Sequence, residues 1–132
     1  GGVFFCSGSV NVTLMGDGTF RGNSASLYGG VLYVGEFGRL RLEGNATIAD
    51  NLAVVGGGAY VGENATLVAV GKGGGITLSG NSASSCGGGA YVDTNSVLEL
   101  VSVIVEENNA SYGGGIFGLT SQVKTPSQQF SP

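Results

Sequence analysis

The sequence is poor in the residues that many binding and catalytic classes need. It contains no His and no Trp, only five Lys and Arg, and charged residues make up 11% of its 132 positions. So few basic residues cannot form the positive surface that nucleic-acid binding requires, and the formal net charge is −4. No apolar run approaches the roughly 18 residues that span a bilayer. We therefore expect neither nucleic-acid binding nor a transmembrane segment.

Glycine, by contrast, is abundant, with 27 residues, and much of it lies in one recurring phrase. In this phrase a glycine pair precedes an apolar or aromatic stretch: "GGVFFC" at 1–6, "LYGGVLYV" at 27–34, "VVGGGAYV" at 54–61, "SCGGGAYV" at 85–92 and "SYGGGIFG" at 111–118. Aligned on their first glycines, the repeats start at 1, 29, 56, 87 and 113 and are 28, 27, 31 and 26 residues long, before a partial fifth. Repeats of this length are typical of solenoids, propellers or arrays.

Within each repeat the apolar residues recur at a period of two, which indicates strands rather than helices. The first set of columns holds Phe4 and Cys6, Leu32 and Val34, Ala59 and Val61, Ala90 and Val92, Ile116 and Gly118. The second set holds Val12 and Leu14, Leu40 and Leu42, Leu67 and Ala69, Leu98 and Leu100. The third column holds Phe20, Ile48, Leu78 and Val105. Each repeat is therefore expected to contain three short strands.

Three short strands in about 28 residues, without a helical segment, predict an all-β fold of the solenoid type. We expect a right-handed parallel β-helix of about five rungs over residues 1–118, with rungs of 26–31 residues. A propeller blade would instead need about 40 residues and four strands. The polar residues 119–132 are expected to form a C-terminal cap or linker.

A further column of polar residues follows the third strand and is expected to be structural. It consists of Asn23, Asn51, Asn81 and Asn108. Carboxamides stacked at a corner of a solenoid can bond to one another and to the turn backbone. The glycine pairs allow sharp turns and a close approach of neighbouring backbones.

The paired glycine and asparagine signatures resemble the GG[A/V/L/I] and FxxN repeats of the chlamydial polymorphic outer membrane proteins. The first signature occurs at Gly2-Val3, Gly30-Val31, Gly58-Ala59, Gly89-Ala90 and Gly115-Ile116. The second is literal only from Phe20 to Asn23, and Ile48, Leu78 and Val105 replace the Phe elsewhere. The resemblance covers residues 1 to about 118. It implies a right-handed β-helical passenger at a cell surface, acting in adhesion or in an extracellular structure, and it supplies no catalytic residues.

The chain contains two cysteines, Cys6 and Cys86. In the register above they lie at least two rungs apart, or about 10 Å at a rise of about 4.8 Å per rung, beyond the usual reach of a disulfide. We expect buried thiols, or partners outside this segment, rather than a bond between the two.

Four asparagines lie in N-x-[ST] sequons and are candidate glycosylation sites. They are Asn11, Asn45, Asn64 and Asn109. Sequons are glycosylated on the surface of secreted proteins. Asn45 and Asn64 are expected at turns, which makes them the better acceptors.

One aromatic column is a candidate contact surface. It consists of Phe5, Tyr33, Tyr60, Tyr91 and Phe117, each next in sequence to an inward residue and therefore on the opposite face of its strand. An exposed aromatic stripe could stack on sugar rings or pack on a neighbouring subunit. Alternatively, the rings stabilise the sheet through cross-strand pairs.

An enzyme is the main rival class, because parallel β-helices also carry polysaccharide lyases and hydrolases. Those mechanisms need clustered carboxylates together with a base or a metal. Asp17, Asp50 and Asp93 fall in different columns, and Glu106-Glu107 resembles a solvated corner. We therefore expect no catalytic residues, no metal and no cofactor.

Ice binding and Ca²⁺ binding are disfavoured by the repeat itself. Thr19, Thr47 and Thr77 share a column, but Ile104 interrupts it, and a flat ice-binding face is expected to need two regular columns. The G-G-x-G-x-D phrase of Ca²⁺-binding β-helices does not recur.

These observations predict a non-catalytic structural segment of an extracellular or cell-surface glycoprotein, either a filament component or an adhesive passenger. A polysaccharide-binding or polysaccharide-degrading β-helix is the alternative. The chain opens inside a repeat, so we expect it to be part of a longer protein. Open solenoid ends expose apolar surface, and the expected partners are further rungs, identical copies stacked head to tail or side by side, and possible glycan or receptor ligands.

Overall fold

The computed structural model describes residues 2–127, which form β-strands and turns and contain no helix. In chain order the strands are β1 (Phe4–Cys6), β2 (Asn11–Arg21), β3 (Leu32–Val34), β4 (Arg39–Ala49), β5 (Leu52–Val55), β6 (Ala59–Val61), β7 (Thr66–Ser79), β8 (Ser82–Cys86), β9 (Ala90–Val92), β10 (Val97–Val101), β11 (Val103–Glu106), β12 (Ile116–Gly118) and β13 (Gln122–Ser127). Strand pairing within this part of the chain is parallel throughout. The chain is a parallel β-solenoid of about four turns, which confirms the predicted parallel β-helix. Its right-handed sense stays a prediction.

Each rung, meaning one turn of the solenoid, passes through three sheets. The front sheet has the order β1-β3-β6-β9-β12. The long sheet has the order β2-β4-β7-β10-β13, with β11 also paired to β7. The short sheet pairs β5 with β8, and single bridges at Ser24, Tyr28, Asn109 and Tyr112 extend it into the neighbouring rungs. Neighbours in a sheet are therefore equivalent residues of successive rungs.

The interior is one apolar column filled by the inward residues of the front and long sheets. Its buried members include Leu32, Val34, Leu40, Leu42, Ile48, Ala59, Val61, Leu67, Leu78, Ala90, Val92, Leu98, Leu100 and Val105. Burial of these side chains is the main favourable term in folding. Their first-rung equivalents Phe4, Val12, Leu14 and Phe20 pack on the same core but are only partly buried, so the first-rung end of the core is open.

The predicted second and third strands are continuous in the first three rungs and separate only in the fourth. β2, β4 and β7 each run through both segments, whereas β10 and β11 are divided at Ser102. Gly16 and Gly44 pair with each other at this point, with φ values of 116° and 139°. These values are open to glycine and rare for other residues, so the backbone bends there without losing its pairing. The third side of the solenoid is therefore formed by the short sheet, whose strands follow the asparagine corner in the chain.

The described part of residues 119–132, which were expected to form a polar cap or linker, contains a strand. Gln122–Ser127 forms β13, which extends the long sheet by pairing with β10. Leu98 lies opposite Val123 and Glu99 opposite Lys124, so apolar and polar residues still alternate. This segment contains too few apolar residues to be recognised as a strand from sequence. Its backbone nevertheless pairs with the edge of β10. Residues 128–132 lie outside the described part.

The asparagine column forms a hydrogen-bonded ladder at the corner between the long and short sheets. Oδ1 of Asn51 accepts the backbone and side-chain N–H groups of Asn23 at 2.9 and 3.1 Å. Oδ1 of Asn81 accepts the same groups of Asn51 at 3.1 and 2.9 Å, and Oδ1 of Asn108 accepts those of Asn81 at 2.9 and 3.0 Å. The remaining carboxamide N–H reaches back to a carbonyl oxygen of the previous rung at 2.9 Å: Asn51 to Phe20, Asn81 to Ile48 and Asn108 to Leu78.

These carboxamides are almost inaccessible to water. The relative exposure is 1% for Asn51, 0% for Asn81 and 6% for Asn108. The residue before each asparagine is in the left-handed region, with φ of 70° at Gly22, 56° at Asp50, 64° at Gly80 and 55° at Glu107. This conformation turns the chain sharply at the corner. Since a buried polar group without a partner costs about 1–3 kcal/mol, the ladder must be complete to be stabilising.

We expect Asn81→Ala to lower the free energy of unfolding by about 3–5 kcal/mol, because it removes four side-chain hydrogen bonds and leaves buried partners unsatisfied. The matched control is Asn23→Ala in the same column, whose half-buried side chain makes one bond, to Asn51. We expect that change to cost about 1 kcal/mol. Urea denaturation of both variants measures the difference. Equal losses of unfolding free energy in the two variants would contradict the hydrogen bonding described for the ladder.

The glycine pairs stack at the corner between the short and front sheets. Gly30 N donates to Gly56 O, Gly57 N to Gly87 O and Gly88 N to Gly113 O, at 3.1, 3.0 and 3.2 Å. A Cβ at Gly57 would overlap the backbone oxygens of Gly88 and Ser82. Neighbouring rungs therefore approach so closely here that a side chain cannot be accommodated.

We expect Gly57→Ala to destabilise the chain by about 3 kcal/mol or more, because backbone atoms on two sides must move. Gly73→Ala is the control: Gly73 has φ of 60°, and nothing lies within 4 Å of an added Cβ. It should cost only about 1–2 kcal/mol for the left-handed conformation. Thermal unfolding of the two variants separates the effects, and a Gly57→Ala variant as stable as Gly73→Ala would contradict the close approach.

Candidate functional site

The aromatic column forms a stacked ladder on the outer surface of the front sheet. The register pairs Phe5 with Tyr33, Tyr33 with Tyr60, Tyr60 with Tyr91, and Tyr91 with Phe117. The ring centroids are 4.7, 5.2, 5.3 and 5.7 Å apart, and the planes of successive rings differ by 3°, 13°, 2° and 11°. Each inner ring is therefore covered on both faces by its neighbours.

This geometry restricts what the ladder can bind. Stacking on a sugar requires a free ring face. The structure brings all five aromatic residues into one row, but only Phe5, at 69% relative exposure, is strongly exposed. Tyr33, Tyr60, Tyr91 and Phe117 are half-buried, and each of the three tyrosines lies between two stacked neighbours. The ladder thus stabilises the front sheet along its length, and its two end rings, Phe5 and Phe117, each stack on one neighbour only.

Tyr28 joins this ladder, and the sequence analysis did not single it out. Its ring centroid lies 4.6 Å from that of Tyr60 and 6.1 Å from that of Tyr33, with the planes tilted by 32° and 41°. Tyr28 comes from the segment just before the second glycine pair. The recurrence of Tyr-Gly-Gly at Tyr28 and Tyr112 is the signal that could have identified it.

The hydroxyl of Tyr60 is the most strongly perturbed titratable group of the site. It donates a hydrogen bond to Asp93 Oδ2 at 3.0 Å. Burial raises the pKa of Tyr60 far above its usual value, and the hydrogen bond and negative charge of Asp93 raise it further. Burial and then the charge of Asp93 also raise the pKa of Tyr91. These hydroxyls therefore act as neutral hydrogen-bonding groups near neutral pH.

A groove runs beside the first-rung end of the ladder. It has a volume of about 520 Å³ and lies between the rings of Phe5 and Tyr33 on one side and residues 24–28 on the other. Its lining residues are Gly2, Phe5, Ser24, Ala25, Ser26, Leu27, Tyr28 and Tyr33. The lining combines aromatic rings with hydroxyl groups and contains no Lys, Arg, Asp or Glu.

The four sequon asparagines are all exposed but lie in different settings. Asn64 is in a turn with φ of 58°, as expected. Asn45 lies within β4 rather than in a turn, at the register shift opposite the glycine-rich bulge of β7. Asn11 begins β2, and Asn109 forms a bridge to Ser82 on the short sheet. None of the four is on the front sheet, which carries the aromatic ladder. Glycosylation at these sites stays a prediction.

The carboxylates considered for catalysis are dispersed over the surface. Asp17 lies on β2, Asp50 pairs with Arg21 at 3.0 Å, and Asp93 accepts the Tyr60 hydroxyl. Glu107 is exposed at the asparagine corner. Between residues 2 and 127, no group of three or more His, Cys, Asp or Glu is arranged to hold a metal ion.

The threonine column is present in the predicted register. Thr19 pairs with Thr47 and Thr47 with Thr77, and Ile104 continues the same column with an exposure of 44%. The aliphatic side chain therefore interrupts the one threonine row on this face of the long sheet.

The two cysteines are free and lie on different sheets. Cys6 is buried on the front sheet, and its Sγ is 3.8 Å from the carbonyl oxygens of Val10 and Arg39. Cys86 ends β8 on the short sheet and is only half-buried, with its Sγ 3.3 Å from Ser85 Oγ. The expectation of a buried thiol is confirmed for Cys6, whereas Cys86 is only half-buried.

Comparison with known proteins finds no match: no family model, no curated protein and no solved structure matches this chain.

Residues 2–127 contain no helix of the length and apolarity needed to cross a membrane.

We expect Tyr60→Phe to reduce the loss of stability at alkaline pH. The raised pKa of Tyr60 in the folded chain favours its neutral form, so its contribution is fully present below about pH 10 and is lost as the pH rises further. Between about pH 9 and about pH 11 the parent chain should lose more stability than the variant, by about 0.5–1 kcal/mol once solvent screening of this partly exposed side chain is allowed for. Urea denaturation at both pH values measures this difference, and parallel pH profiles would contradict it.

Proposed function

We propose that this chain is a non-catalytic, rod-forming segment of an extracellular or cell-surface glycoprotein. The main support for this proposal is that successive rungs contact one another through the same three columns of equivalent residues. The asparagine ladder, the aromatic ladder and the glycine corner each continue from rung to rung in register. A solenoid of this kind lengthens by adding rungs without any new type of contact.

The first-rung end favours further stacking. β1 and β2 are the outer strands of the front and long sheets, and Phe4, Val12, Leu14 and Phe20 are partly exposed beside them. A cavity of about 370 Å³ opens between Phe4, Leu14 and Phe20 of the first rung and Leu42 and Ala46 of the second. An open apolar edge of this length is a template for another parallel strand. The proposed partner at this edge is a further rung of a longer chain or a second copy.

The extracellular placement is supported by the position of the sequons. All four asparagines are on the outside of the solenoid, where an attached glycan would not disturb the core. Carbohydrate at these positions would lie on the long and short sheets and at the turn between β6 and β7, outside the strands of the front sheet. This arrangement suits either a filament component or an adhesive passenger, as the resemblance to the chlamydial polymorphic outer membrane proteins also suggests.

The test is electron microscopy of the native material that contains this chain, combined with intact-mass measurement before and after enzymatic removal of N-linked glycans. We expect narrow rods or fibres with an axial repeat of about 4.8 Å and a mass that falls on deglycosylation. Continuous fibres would indicate a filament component. Discrete rods projecting from a cell surface would indicate a passenger.

An expressed chain in which all four sequon asparagines are changed to Gln is the matched control. It should retain the rod and lose the mass difference, because the four side chains are exposed. Compact particles with an unmodified mass in the native material would contradict the proposal.

A further inference from the structure

We infer that Asn64 carries an N-linked glycan whose first N-acetylglucosamine packs on the exposed ring of Phe37. This inference rests on the proposed function, because it requires the chain to be a glycoprotein. It adds one specific acceptor and the protein surface that holds its sugar. Phe37 and Asn64 belong to the second and third rungs, which have a further rung on either side, so the site involves neither end of the solenoid.

Phe37 and Asn64 are equivalent residues of successive turns. The flanking strands β3 and β4 pair in register with β6 and β7, so residues 35–38 align one to one with residues 62–65. Within this stack the backbone N–H of Phe37 donates to Glu63 O at 3.3 Å. With φ values of 61° and 58°, Phe37 and Asn64 share the same left-handed conformation. Their side chains therefore leave the two turns in parallel, about 4.8 Å apart.

Neither the turn nor the core accounts for the phenylalanine in this column. The left-handed conformation favours Gly, Asn and Asp, and bulky residues rarely adopt it. The next two rungs place Asn64 and Asn95 there, both with positive φ. Phe37 is 54% exposed, so burial in the core does not offset its unfavourable conformation. The Phe37 ring is therefore best explained by a contact with a group outside the polypeptide fold.

The sequon in the next rung supplies a group that fits this ring. Asn64-Ala65-Thr66 has the N-x-T pattern, and the side chain of Asn64 is exposed. A sugar linked to Nδ2 of Asn64 starts from a side chain that lies about one strand spacing from that of Phe37. The C–H face of a sugar ring is apolar and stacks on an aromatic face. On the other side the column continues with the exposed Asn95, whose carboxamide can hydrogen-bond to sugar hydroxyl groups.

The other three sequons have different neighbours in their columns. Asn11 lies opposite Arg39, Asn45 opposite Asp17 and Asn109 opposite Ser82. None of these three neighbours is aromatic. Asn64 is therefore the sequon that combines an exposed acceptor with an exposed aromatic ring in the adjacent rung.

The experiment measures how much the sugar stabilises the 132-residue chain with and without the Phe37 ring. Asn11, Asn45 and Asn109 are changed to Gln, so that Asn64 is the acceptor. A eukaryotic secretory host supplies the glycosylated form, which an endoglycosidase trims to one N-acetylglucosamine, and a bacterial host supplies the bare form. Intact mass verifies both forms. Because stacking on Phe37 should be comparable to an aromatic pair, we expect the sugar to raise the midpoint of thermal unfolding by about 3–5 °C.

The variants separate the ring from other effects of the sugar. Phe37→Ala should reduce the rise to about 1 °C or less, and Phe37→Tyr should preserve it. Each rise compares glycosylated and bare forms of the same variant, so a change in the stability of the variant itself cancels. A chain that keeps Asn45 as its single sequon is the matched control. There, the rise should be the same with and without Phe37→Ala.

NMR of the glycosylated parent gives a second measurement that needs no variant of Phe37. Protons above an aromatic ring are shifted upfield by its ring current. We expect ring protons of the N-acetylglucosamine on Asn64 to be shifted upfield relative to those of the same sugar on Asn45 in the control chain. This measurement keeps the test decisive if Phe37→Ala alters the fold.

The inference is overturned if the sugar on Asn64 stabilises the Phe37→Ala chain as much as the parent, or if its protons show no upfield shift. Peptide mapping of the native material that finds no carbohydrate on Asn64 would also overturn it. Failure here is distinguishable from failure of the proposed function. Glycosylated rods in which the Asn64 sugar is indifferent to Phe37 would remove only this inference. Compact native particles whose Asn64 sugar depends on Phe37 would remove only the rod.

Discussion

The hydrogen bonds between buried carboxamides of successive rungs are the constraint on which the rest of the solenoid depends. A side chain such as that of Asn81 is fully buried and makes four bonds: three to the rung before, with Asn51 and Ile48, and one to Asn108 in the rung after. These bonds form only if every rung places its asparagine at the same height and the same angle. Because an unsatisfied amide is costly in the interior, the ladder fixes the register as well as stabilising it. Burial of aliphatic side chains contributes more to the free energy of folding. It would, however, tolerate small shifts of one rung against the next, which the asparagine ladder does not.

A fixed register has consequences on the outer surface. Once the asparagines are aligned, equal side chains on the front sheet must also lie above one another, about one strand spacing apart. Aromatic rings at that spacing stack face to face, so the column that looks in sequence like a continuous contact stripe becomes a ladder whose inner rings are covered on both faces. The inner rings therefore hold the sheet together. Tyr28 leans on the ladder from the side and lines a groove together with Phe5.

Much of this architecture can be predicted from the sequence, because the same residue types recur at equivalent points. The period of two identified the strands, the glycine pairs marked where rungs begin, and the spacing of Asn23, Asn51, Asn81 and Asn108 placed a polar corner between them. Features that depend on a single rung were not predictable in this way. Gly16 and Gly44 allow β2 and β4 to continue through a bend where two strands were expected, and the polar Gln122–Ser127 pairs as a strand because β10 offers an edge. Asn45 lies in a strand because β4 continues through the bend at Gly44. Tyr28 was missed because its column continues as Val55, Cys86 and Tyr112, so that its inner members are not aromatic.

The most direct test of this account is an NMR measurement of scalar coupling through the hydrogen bonds of the asparagine ladder. In uniformly labelled protein, the backbone nitrogen of Asn51 should couple to Cγ of Asn81, and that of Asn81 to Cγ of Asn108, because these N–H groups donate to the side-chain oxygens at 3.1 and 2.9 Å. Detection of both couplings would place rungs 27 and 30 residues apart in direct register. Absence of the couplings, with the carboxamide protons of Asn51 and Asn81 exchanging as fast as those of an exposed asparagine, would contradict the account.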